Sequence, residues 1–135
     1  MKLIQLFVGL AMLMAGLSAQ AGVVVIVNAN ETAAPSKSDI SNIFLGRSKS
    51  LKGLDQSGWN PTKEAFYLEM TKKNEAQLSS YWSGLVFTGK GAVLDAVDGD
   101  AKVVEKIAAA PGSIGYVDST AVTPGVKVVL ALPLL

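Results

Sequence analysis

The spacing of apolar positions divides the chain into short alternating strands and helices. Val23 to Val27 is β-branched at every position with no polar alternation, as expected of a strand covered on both faces. Asn28 to Pro35 reads as a loop. Ser36 and Asp39 then have capping-box spacing ahead of Ile40, Ile43 and Phe44, and Gly46 ends that short helix. Arg47 to Gly58 is a polar connection with Leu51 and Leu54 as its apolar anchors and room for one short strand. Asn60 and Pro61 open a second helix that runs to about Lys73, burying Phe66 and Met70 and pairing Glu69 with Lys73 on its exposed side. Asn74 caps a third helix, with Gln77 in the box position and Leu78, Tyr81, Trp82 and Leu85 along one stripe. Phe87 to Gly91 reads as a turn and is followed by a loop carrying Asp95, Asp98 and Asp100. Asp100 caps a helix from Ala101 to Ala110 that buries Val103, Val104 and Ile107 and stops at Pro111 and Gly112. Ile114 to Val117 and Val126 to Leu130 complete the pattern as strands. The class is α/β: a small central mixed sheet flanked by about four helices, without internal repeats.

The first residues belong to a different segment. Lys2, an apolar run from Leu3 to Leu17 and the small-residue ending Ser18-Ala19-Gln20-Ala21 are the parts of a cleavable secretory signal peptide. The run falls short of the about 18 to 20 residues needed to span a membrane. Residues 1–21 are therefore expected to be removed and residues 22–135 to form one periplasmic domain. Without Lys2 the 12 basic residues fall to 11 and equal the 11 acidic ones. A neutral chain with no basic cluster gives no reason to expect nucleic acid as a partner.

The missing residue types narrow the chemistry. The chain has no cysteine and no histidine, so it cannot build a disulfide, a Ser-His-Asp or Cys-His nucleophilic site, or an ordinary zinc site from its own residues. Gly84 to Gly91 comes close to a nucleotide phosphate loop, but Gly91 stands where the magnesium-binding hydroxyl belongs, and a helix precedes the loop where a strand should. Asp95, Asp98 and Asp100 lack EF-hand spacing and a closing glutamate. No metal or other cofactor is expected, and no enzyme.

The stretch with most chemical character is Asp55 to Phe66. A helix start capped by Asn60 leaves N–H groups facing outward, and such an end favours an oxyanion. The candidate ligand-binding residues are Ser57, Gly58, Asn60, Thr62 and Lys63. Around them, Ile43-Phe44-Leu45-Gly46-Arg47, Ser57 to Phe66, Trp82, Gly89-Lys90-Gly91 and Pro111-Gly112-Ser113-Ile114-Gly115-Tyr116-Val117 occur in an order that resembles the second lobe of the phosphate-binding proteins of ABC transporters. The resemblance implies a single periplasmic-binding-protein-like lobe that binds phosphate or a similar small oxyanion and works with a membrane transporter or envelope protein. In that family a Ser-Gly-Thr sequence opens the helix. Here Asn60, Pro61 and Thr62 occupy those places, and the family's arginine has no counterpart before Ser57. One lobe supplies half of a two-lobed cleft, so binding is expected to be weak, or to need a homodimer or another partner. The alternative expectation is a lobe that binds no ligand and serves as an interaction or assembly module of the cell envelope, with Trp59 in the loop that should hold the anion.

Overall fold

A computed structural model describes residues 22–91 and 93–132. The leader read at residues 1–21 lies outside the described residues. The elements, in chain order, are β1 (Val23–Asn28), α1 (Lys37–Phe44), β2 (Lys52–Gln56), α2 (Pro61–Thr71), α3 (Glu75–Phe87), β3 (Asp95–Val97), α4 (Asp100–Ala109), β4 (Ser113–Asp118), a 3-10 turn (Ser119–Ala121) and β5 (Val126–Ala131). The five strands form one mixed sheet in the order β3-β2-β4-β1-β5. β2 runs parallel to both β3 and β4, while β1 is antiparallel to β4 and β5. With four helices on this sheet, the α/β class expected from the sequence is the one observed.

Both faces of the sheet are covered, which is why β1 can be apolar throughout. Val23, Val25 and Val27 face a core shared with α1 and α2, whereas Val24 and Ile26 face Val103, Val104 and Ile107 of α4. Four rings interlock on the first face: Phe66 stacks on Tyr116 at 4.1 Å between centroids, Phe44 meets Phe66 edge-on at 4.8 Å, and Tyr67 meets Phe66 edge-on at 5.1 Å. Such contacts contribute about 0.5–1.5 kcal/mol each beyond area burial. On the second face Gly115 lets α4 approach, since a Cβ there would stand 2.6 Å from Ile107 and 2.8 Å from Val103.

The caps explain the helix starts. Ser36 and Asp39 form a complete capping box, as do Asn74 and Gln77. Asn60 caps α2 by accepting the N–H of Lys63, with Pro61 at the first helical position. Gly46 takes a positive φ of 73° just after α1, as its C′ role requires.

Four expectations are corrected. Asp95 to Val97 is a strand, paired in parallel with Leu54 to Gln56. Its side chains are largely exposed, so its polar composition hid a backbone ladder. Asp100 is the first residue of α4 and not its cap; Gly99 holds the cap position at φ 88°, and the Asp100 carboxylate accepts from Gln56 Nε2 at 2.8 Å. Glu69 pairs with Lys37 of α1 at 3.0 Å, while Lys73 lies over the Tyr81 ring. Finally, Phe87 is the last residue of α3 and not the first of the turn, which begins at Thr88.

Candidate functional site

The winding of the chain makes the carboxyl end of β2 a junction. From β2 the chain passes through α2 and α3 to β3 on one side, then through α4 to β4 on the other. In open α/β sheets such a switch point leaves a crevice that ligands favour. Here the protein fills the crevice with its own groups.

Asp55, the penultimate residue of β2, is buried. Its carboxylate accepts the Tyr67 hydroxyl at 2.9 Å, a short hydrogen bond from the Tyr116 hydroxyl, and the Gln56 N–H at 2.8 Å. Lys63 Nζ lies 3.6 Å from the same carboxylate and donates to the Gln56 carbonyl at 2.8 Å. Burial, and next the Asp55 charge, push both phenols well above the ordinary tyrosine range, so they stay protonated and donate. Gln56 extends the network: its Nε2 donates to Asp100 and to the Tyr116 carbonyl at 3.0 Å, and its Oε1 accepts from Asn60 Nδ2 at 2.9 Å. No buried polar side-chain atom among the described residues lacks a partner.

The five candidate residues occupy different positions around this network. Ser57 is exposed, and its N–H is taken by the Val97 carbonyl at 2.8 Å. Gly58 has a φ of 72° and open space where a Cβ would stand. Asn60 spends its oxygen on the cap and its amide nitrogen on Gln56. Lys63 is engaged by Asp55 and the Gln56 carbonyl. Pro61 has no N–H and the Lys63 N–H is capped, so in the first turn Thr62 alone keeps an N–H that the cap does not take. No group of three or more His, Cys, Asp or Glu capable of holding a metal ion occurs among the described residues.

Beside this network lies an open groove of about 680 Å³. Gly58 and Lys63 line it, whereas Ser57, Asn60 and Thr62 do not. Its walls are Trp59, Leu78, Trp82, Val86, Phe87 and Val93, and its charged residues are Asp55, Lys63 and Glu75. Lys63 is balanced by Asp55, which leaves Glu75 and a formal charge of −1: the wrong sign for an anion. Both tryptophans of the chain are in this wall. Sequence reasoning missed Val86, Phe87 and Val93. Helical spacing from Leu78 through Trp82 to Val86 carried the signal for the first, whereas Phe87 was assigned to the turn that follows the helix. Asp55, Tyr67 and Tyr116 were missed as a group, because they meet only when β2 pairs with β4 and α2 packs onto the sheet.

Fold and site together define an α/β lobe with helices on both sheet faces, a closed polar network at the strand switch point, and an apolar groove next to it. Among solved structures the chain is similar to an ABC-type phosphate transport receptor from Vibrio cholerae, with a TM-score of 0.49 and 12% identity, covering 80% of this chain and 45% of that one. This chain thus spans about half the length of that receptor. No protein-family model matches the chain, and no curated protein does.

Proposed function

We propose that this chain is an extracytoplasmic interaction module of the cell envelope, a solute-binding-like lobe that works by docking a partner and carries out no catalysis. One observation carries this reading: the carboxyl end of α3 presents apolar side chains that nothing covers. Of its 13 residues only Leu78 is buried, while Val86 is 50% exposed and Phe87 92% exposed, next to the groove that holds Trp59 and Trp82. A contiguous exposed apolar patch with polar surroundings is characteristic of docking surfaces. Covering Phe87 alone would contribute about 1.5–3 kcal/mol. The secretory pattern of residues 1–21 supports the location.

The test uses the two tryptophans as built-in reporters. A neutral apolar fluorescent dye, N-phenyl-1-naphthylamine, is expected to bind the folded protein and accept energy from Trp59 and Trp82. The double variant Val86→Ser, Phe87→Ser should bind it several-fold more weakly with an unchanged circular dichroism spectrum. Equal dye binding by both proteins would remove the docking reading.

Weak binding of phosphate or a similar oxyanion at Ser57 to Lys63, with a transporter as partner, is the second reading. It is favoured by the uncapped N–H of Thr62 at the start of α2 and by the sequence resemblance. Half a cleft would give a dissociation constant on the order of millimolar, about 4 kcal/mol. Calorimetric titration with phosphate and with sulfate decides it; absence of heat and of any shift in melting temperature at saturating ligand would sink it.

A further inference from the structure

Building on the docking reading, we propose that the occupant of the groove is a second copy of this chain, bound by antiparallel pairing of α3 with its counterpart across a twofold axis. The argument starts from shape. Phe87, the last residue of α3, projects into solvent at 92% exposure, and the depression lined by Trp59, Trp82 and Val93 begins beside it. A patch that carries a projection and a matching hollow side by side is complementary to itself under a twofold rotation, which is the requirement of an isologous interface. Between them along the same face stand Ser79 and Ser83, both exposed and both small enough for a second helix to approach closely.

Charge then selects a second copy, and selects the antiparallel direction. Glu75 lies exposed in the first turn of α3, and Lys90 lies exposed just after its last turn. Neither is in an ion pair among the described residues. The 13-residue helix is about 20 Å long. Laid antiparallel on its counterpart, it brings Glu75 of each copy to Lys90 of the other, one pair at each end, and the helix dipoles also oppose favourably. Of the cations near the helix start, Lys73 lies on the opposite side with Ser80 and Tyr81, Lys72 lies near Glu69, and Lys63 is held by Asp55, so none disturbs this pattern. The exposed apolar end of α3 has the same explanation: Val86 and Phe87 gain from the twin the cover that the monomer does not give them.

The experiment measures mass against concentration by analytical ultracentrifugation on the full chain as the producing cell delivers it. The expected result is a reversible monomer–dimer equilibrium, with tryptophan emission moving to shorter wavelength as the dimer forms. Phe87→Ser should weaken association at least about 30-fold, the loss typical of an aromatic anchor seated in a partner's pocket. Glu75→Lys and Lys90→Glu should each weaken it, and the double variant Glu75→Lys, Lys90→Glu should recover association toward the original strength, an outcome that mere structural damage would not produce. A protein that stays monomeric at every concentration, a Phe87→Ser protein that dimerises unchanged, or a double charge variant no better than the single ones would overturn the proposal. The dye experiment separates the two ideas: a monomeric protein whose groove still binds dye through Val86 and Phe87 retains a docking surface and loses only this occupant.

Discussion

Removing the two phenols around Asp55 should change how the protein responds to alkali, and the structure gives both the sign and the size. Tyr67 and Tyr116 donate to one buried carboxylate, and burial together with that negative charge holds both phenols protonated well above their ordinary value. In the unfolded chain they ionise near pH 10. A folded value raised above the unfolded one contributes stability that is fully present below pH 10 and is lost as the pH rises beyond it, because the unfolded state then releases protons that the folded state keeps. At pH 11 each phenol should favour unfolding by about 1.4 kcal/mol and the pair by about 3 kcal/mol. Urea unfolding followed by tryptophan fluorescence at pH 8 and pH 11 measures the loss. Tyr67→Phe, Tyr116→Phe should start less stable at pH 8, since each hydrogen bond to a charged acceptor contributes about 1.5–3 kcal/mol, yet it should lose about 3 kcal/mol less than the parent on going to pH 11. If parent and variant lose the same amount, the phenols do not hold their protons as described.

Two further substitutions probe the elements that shape the site. Asn60→Ala removes the α2 cap and the contact to Gln56, and should destabilise the protein by about 1 kcal/mol in urea unfolding; an unchanged midpoint would mean that the cap is idle. Gly115→Ala places a methyl group 2.6 Å from Ile107 and 2.8 Å from Val103, and should cost about 1–3 kcal/mol by overpacking, read as a lower melting temperature. A neutral result there would show that α4 can shift off the sheet freely.

What could be read from the residues in order was whatever depends on near neighbours. The β-branched run of β1, the capping pairs Ser36 with Asp39 and Asn74 with Gln77, and the Asn60-Pro61 helix start all act within a few positions, and each stands in the structure where the pattern placed it. β3 escaped because three exposed residues joined by backbone hydrogen bonds to β2 leave no apolar signature. Asp100 looked like a cap by its position, but a positive φ at Gly99 turns the chain one residue earlier and frees the carboxylate for Gln56. The polar network was hidden for a topological reason: Asp55 and Tyr116 are far apart in the chain and become neighbours only when β2 and β4 lie side by side. The stripe Leu78, Tyr81, Trp82 and Leu85 does turn inward, with Leu78 in the core and Trp82 packed against it, while Val86 and Phe87 on the outward side of α3 were not read as part of it.

The place of β1 in the sheet sets the order in which the molecule can be completed. The strand nearest the amino terminus lies between β4 and β5, with Val25 opposite Tyr116 on one side and Leu130 on the other. A growing polypeptide therefore cannot finish this sheet by local hairpins, and β1 waits for β4 and β5 to be made. Such long-range closure slows folding, and it leaves β1 without either ladder partner for as long as β4 and β5 are still unmade.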